Sequence, residues 1–185
     1  MTRRLICAAV LGAGVLFAAA PALAGDTGCL WDRMPKKETR AAIDAGLAGG
    51  PDAMQEKLVF ADVRAAAAAC GLDASDEESS DLSNAAYGVA LQKLGEAWFE
   101  TNLKIAPDKL DRAWDHLGED AQAVVKRAMH DRSRDTDSVD GVVEAFTRLL
   151  ETAPPADQAE ADKRQTFTGA YISGRALRAA YEPKL

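Results

Sequence analysis

At 185 residues, 48% of them hydrophobic and 28% charged, the chain is long enough to form one domain with a core of its own. It carries 22 basic against 29 acidic residues, a net charge of −7, and no basic run that could neutralise a track of phosphates. Composition thus argues against nucleic-acid binding and against adhesion to an anionic membrane.

The first 24 residues read as an export signal. Arg3 and Arg4 supply the positive start, an apolar run extends from Leu5 to Ala20, and Pro21-Ala22-Leu23-Ala24 places small residues where a signal peptidase reads. A membrane span needs roughly 20 apolar residues. This run is rich in Ala and Gly and leads straight into the cleavage site, so a removed leader is expected rather than an anchor. Cleavage after Ala24 leaves a single soluble domain, residues 25–185, with 20 basic against 29 acidic residues and no stable membrane anchor. The expected address is outside the cytoplasm: periplasmic in a bacterium, secreted otherwise. The paired arginines fit the general export route as well as a twin-arginine one, and Asp26-Thr27-Gly28 before Cys29 lacks the small, apolar lead-in that lipid attachment needs.

Cys7 leaves with the leader, and Cys29 and Cys70 remain as an even pair in an oxidising compartment, which predicts a disulfide. Without a C-x-x-C spacing the bridge reads as structural rather than redox-active. Residues 25–32 show no periodicity and are expected to be an irregular strap carrying Cys29, Leu30 and Trp31. Pro35 then opens a short helix over 36–47 with Ile43 and Leu47 inward, and Gly49-Gly50 closes it. Pro51 restarts a helix that runs to Cys70, with Met54, Leu58, Phe60, Val63 and Ala67 as its apolar side and Gly71 as its stop.

The acidic connector over 73–81 contains Ser75 and Glu78, which form an S-x-x-E capping box; its carboxylates fit no calcium loop. The helix predicted next, from Asp81 to Leu103, is the most apolar in the exported chain and is expected to be the central one. Leu82, Tyr87, Val89, Leu91, Leu94 and Trp98 give it a broad buried face. Gly88 and Gly95, one heptad apart, each cost a helix roughly 1 kcal/mol against Ala, so a close backbone approach is expected on that flank.

Four further segments follow. Pro107 opens one with Leu110, Ala113, Trp114 and Leu117 in register; Gly118 separates it from a second with Val124, Val125, Ala128 and Met129. Val139, Val142, Val143, Phe146, Leu149 and Leu150 stripe a third, and a last runs from about Asp157 to Tyr181 with Phe167, Ala170, Tyr171, Gly174 and Leu177 inward. The Pro-x-Lys-x-x-Arg-Ala echo at Pro35 and Pro107 leaves a duplicated helix pair open. No strand pattern, hairpin dipeptide or Gly-rich phosphate loop occurs. The predicted fold is therefore all-α, a single-domain bundle of about six to eight helices around the 81–103 helix, with one disulfide.

Catalytic grammar is sparse. His116 and His130 fall on helix flanks, with Asp120 four residues from His116 as an ion-pair partner, and neither histidine has a companion at metal-ligand spacing. The Asp135–Gly141 stretch resembles an EF-hand loop, but its glycine comes one place late and Phe146 stands where the bidentate Glu belongs. No nucleophile motif is present. The sequence nominates no catalytic, metal or cofactor residue. Asn84, Gln92 and Glu96 on the central helix are the candidate polar residues of a pocket, against the alternative that they are ordinary surface groups.

The reading favoured by these features is an exported binding or interaction module without catalytic activity, its partner a protein. The alternative is a carrier of an apolar small molecule between helices, lined by Tyr87, Trp98, Trp114 and Phe146. A hydrolase using Glu96 or a histidine ranks third.

Overall fold

The computed structural model describes residues 27–72, 80–131 and 136–182. The export leader, the Ser75 and Glu78 capping box, residue 135 of the EF-hand-like stretch and the side chain of His130 lie outside them.

Nine helices follow one another among the described residues: α1 Gly28–Arg33, α2 Lys36–Gly49, α3 Pro51–Gln55, α4 Phe60–Ala69, α5 Ser80–Leu103, α6 Pro107–His116, α7 Gly118–Asp131, α8 Thr136–Leu149 and α9 Gln158–Tyr181. The all-α bundle is as expected, with two helices more than the sequence pattern supplied. The segment from residue 25 to 32, expected to be irregular, holds α1, whose Leu30 is buried. Six residues are too few for an apolar period to show. The single helix expected from Pro51 to Cys70 is two, α3 and α4, separated by Val59 in an extended conformation. The reason lies in packing. Met54 and Val63 are nine residues apart, half a turn out of phase in a continuous helix, and each is buried in a different core cluster.

The main core is built on α5 and α9, both 24 residues long. They run antiparallel in direct backbone contact. A Cβ at Gly174 would lie 2.4 Å from the Gln92 nitrogen and 2.6 Å from the Gly88 oxygen, and one at Gly95 would lie 2.6 Å from Cβ of Tyr171. These glycines are thus required by close approach, as the heptad spacing of Gly88 and Gly95 suggested. Trp98 stacks on Phe167 with centroids 5.1 Å apart, and Phe146 of α8 packs against Tyr171 at 5.4 Å. Helix α5 buries residues around most of its circumference, including Leu82, Val89, Leu91, Leu94, Trp98 and Phe99. Central placement is therefore confirmed for α5, with α9 as its equal partner.

On α2 the buried face is Thr39, Ala42 and Gly46, while Ile43 and Leu47 are only half-buried. The shift follows from Gly46, where a Cβ would meet Leu94 at 2.8 Å: the bare backbone admits the leucine. Leu149, expected inward, is 40% exposed at the end of α8. The two prolines of the Pro-x-Lys echo differ in register, Pro35 at the N-cap of α2 and Pro107 in the first turn of α6.

A satellite cluster joins α1, α4 and the start of α5 through Leu30, Met34, Val63, Ala66, Ala67, Leu72, Leu82 and Ala86. The predicted bridge sits at its edge, Cys29 to Cys70 with Cα atoms 6.0 Å apart. Gly71, at φ +70°, closes α4 just beyond it.

Candidate functional site

Gln92 and Glu96, nominated from sequence, are both buried on α5 and bonded to each other, the Gln92 Nε2 donating to Glu96 Oε1 at 2.7 Å. Lys93 Nζ donates to the other Glu96 oxygen at 2.7 Å. Arg178 of α9 donates to Gln92 Oε1 at 2.7 Å and to Thr27 Oγ1 at 3.1 Å. The Thr27 N–H and hydroxyl in turn donate to Glu182 Oε1 at 2.6 and 3.0 Å. Asn84, two turns earlier and half-buried, is not brought into this chain of bonds. The network links α5, α9 and the entry to α1, and it reaches the surface at a recess of about 570 Å³ lined by Asp32, Arg33, Lys93 and Arg178. There Lys93 is matched by Glu96 and Arg178 by Glu182. Its polar groups face one another, as a buried network must if it is not to cost stability.

A second polar group ties α6 to α9. The fully buried Tyr171 donates its hydroxyl to Asp111 Oδ1 at 2.8 Å, Arg175 pairs with the same oxygen, and the Arg175 guanidinium lies 6.0 Å from the Trp114 ring centre. Burial first, and the bond to Asp111 second, push the Tyr171 phenol well above the usual tyrosine range, so it stays a proton donor to its partner.

His116 is exposed, and its Nδ1 lies 2.6 Å from the Arg112 carbonyl rather than against Asp120, which assigns the ring proton to Nδ1. Residues 136–141 are the first turns of α8 rather than a loop. Among the described residues no three His, Cys, Asp or Glu side chains gather as a metal ion would require, and no described helix is long and apolar enough to cross a membrane.

A larger opening lies elsewhere among the described residues, between α8 and the N-terminal part of α9. It is a groove of about 660 Å³. One wall is a single stripe of α8 continued past its end: Asp140, Val143, Glu144, Thr147, Arg148 and Glu151, spaced i, i+3, i+4, i+7, i+8 and i+11. The facing wall is the connector 152–155 with Ala161, Arg164 and Gln165 of α9. Arg164 holds that wall. Though 92% of its surface is covered, its guanidinium is fully engaged, donating to Thr152 Oγ1 at 3.2 Å, to the Ala153 carbonyl and to Glu160. Glu160 also accepts the Ala156 N–H at 2.8 Å; that bond and then the Arg164 pair hold its carboxyl below the usual range. Lys109 of α6 caps the Leu150 carbonyl at 2.8 Å, and Pro154-Pro155 restrict the backbone beyond it. Glu151 stands at φ +52°, in the left-handed region where a helix exit usually carries Gly.

Nothing in the sequence marked this groove. Its α8 wall reads as the solvated face of an amphipathic helix, and Thr152-Ala153-Pro154-Pro155 reads as a plain helix exit. The nearest signal was a pair of adjacent prolines before a helix with a capping aspartate. Asp157 does cap α9, accepting the Glu160 N–H at 2.8 Å.

Fold and groove together define a class, an all-α disulfide-bridged bundle with a surface groove between α8 and α9. Comparison with family models, with curated proteins and with solved structures finds no match to this chain.

Proposed function

We propose that this chain is an exported helical interaction module that receives a partner in the groove between α8 and α9. The observation carrying this reading is the groove itself: about 660 Å³, open to solvent, with its far wall held by Arg164, Lys109 and two prolines. A preformed wall lowers the ordering cost of binding. The Cys29 to Cys70 pair supports an oxidising destination, in keeping with the leader expected over residues 1–24.

The placement of the aromatic residues supports a partner over an apolar cargo. Trp98 is taken up by Phe167 and Phe99, Phe146 by Tyr171, and Trp114 is buried beneath Arg175. Tyr87 borders a pocket of about 160 Å³, whereas ligand sites start at roughly 300 Å³. For the hydrolase reading, Glu96 lies locked between Gln92 and Lys93, and His116 stands on an exposed flank.

Native mass spectrometry of the protein purified from its own compartment tests the proposal. The expected spectrum shows a chain beginning at Gly25, without acyl groups, accompanied by a polypeptide that dissociates on activation. A stoichiometric small apolar molecule in its place would overturn the reading in favour of the carrier.

A further inference from the structure

The charges around the groove say what kind of segment belongs in it. Arg148 is matched by Glu144 at 3.2 Å and Arg164 by Glu160. That leaves Asp140 and Glu151, both exposed, whose carboxylates make no ion pair among the described residues. They stand at the two ends of the α8 wall: about 13 Å of helical rise separates Asp140 from the last residue of α8, Leu149, and Glu151 lies just past that exit. Between them apolar groups, Val143, Ala153, Pro154, Pro155 and Ala161, alternate with the paired Glu144 and Arg148, the engaged Arg164, the hydroxyls of Thr147 and Thr152 and the Gln165 amide. The Thr147 hydroxyl donates to the Val143 carbonyl at 2.8 Å, and that of Thr152 accepts from Arg164 at 3.2 Å.

Resting on the interaction reading above, we propose that the groove binds a short basic segment of another polypeptide. The segment is extended, with two Lys or Arg side chains about four residues apart, an even spacing that puts both on one face, and apolar residues between them. Charge complementarity fixes the ends. About 13 Å corresponds to about four residues at 3.3 Å each, the rise of an extended chain, and the flexible stems of the two basic side chains span the remainder. The apolar part of the lining takes the intervening side chains, and the two acids, without an ion pair among the described residues, attract the two cations and set the register. The recess at Lys93 and Arg178 offers no comparable pair of acids, because Asp32 faces Lys36 at 3.8 Å, Glu96 faces Lys93 and Glu182 faces Arg178, while Arg33 adds a positive charge. Long-range attraction acts in the same sense, since the whole chain is acidic at −7.

The test uses the mature protein, residues 25–185, and three fluorescent probes of equal length: Lys-Val-Pro-Val-Lys, the same peptide with both Lys replaced by Glu, and one with both replaced by Gln. Binding is followed by fluorescence anisotropy at two salt concentrations. The Lys probe is expected to bind at least tenfold more tightly than the Gln probe and to weaken with added salt, while the Glu probe does not bind. In D140N/E151Q the Lys probe should lose at least tenfold and most of its salt dependence. Ala161→Trp, which fills the groove from its half-buried wall, should abolish binding while circular dichroism and thermal midpoint stay near those of wild type. Equal binding of the Lys probe to wild type and D140N/E151Q overturns the assignment. Failure of all three probes, with a polypeptide still bound in the native spectrum, overturns the basic segment but leaves the interaction reading standing. A self-associating chain whose dimer is lost in Ala161→Trp overturns it too, in favour of a second copy as occupant.

Discussion

A single methyl group at Gly174 decides how closely the two long helices lie. A Cβ there would sit within 2.6 Å of backbone atoms of Gln92 and Gly88, which cannot move without shifting α5 as a whole. Gly174→Ala is therefore expected to destabilise at the upper end of the roughly 1–3 kcal/mol typical of overpacking. Gly169, on the same helix, has open space where its Cβ would be, and Gly169→Ala should stabilise by about 0.4–1 kcal/mol through the unfolded chain. Denaturant midpoints of the two variants check this pair; effects of the same sign would show that the helix contact is misjudged. Glu160 supplies a pH dependence. Its folded carboxyl is held below the ordinary value, so its stabilisation is fully present above the ordinary glutamate range and is lost as pH falls through the depressed value. Glu160→Gln should accordingly flatten the acid limb of a plot of stability against pH; an unchanged limb counts against the Arg164 wall. At this scale the sequence was partly legible. Gly88, Gly95, Gln92 and Glu96 stood out because a glycine or a polar group on an apolar helix has few explanations. Arg164 did not, because an arginine on an amphipathic helix reads as solvated, and its burial depends on the connector 152–156 folding back over it.

Long elements were readable because burial repeats over many turns: α5, α8 and α9 carry three or more periods each, and their inward faces match except at the exposed Leu149 and the half-buried Tyr87 and Val139. Short elements were not. Helix α1 is under two turns, and the break at Val59 carries neither Gly nor Pro; it exists because Met54 and Val63 serve different clusters. The bridge belongs to this scale, joining α1 to the end of α4 across 41 positions. A loop of that size corresponds to roughly 4 kcal/mol in the chain-entropy account. Leu30 and Met34, both buried, and the bonds from Thr27 to Glu182 hold α1 as well. The double variant C29S/C70S should thus show a clearly lower thermal midpoint and lose amide protection first in α1, with α5 and α9 still protected. An unchanged midpoint, or two titratable thiols in the oxidised wild type, would contradict a structural bridge.

The molecule as a whole sets a rigid pair of helices against a groove at one end. The frame α5 and α9 contributes packing and the closed network of Gln92, Glu96 and Arg178. The groove lies at the opposite end of α9 from that network, where α8, the connector 152–155 and the start of α9 meet. Its invisibility in the sequence is physical: a groove is defined by what neighbouring elements leave uncovered, and no periodicity reports that. The central claim is that a partner is received there, and hydrogen exchange read by mass spectrometry, on the chain with and without the partner that copurifies from its compartment, tests it most directly. Slower exchange confined to residues 140–165 is the predicted result. Slower exchange in α1 and around Lys93, with the groove unchanged, would contradict it.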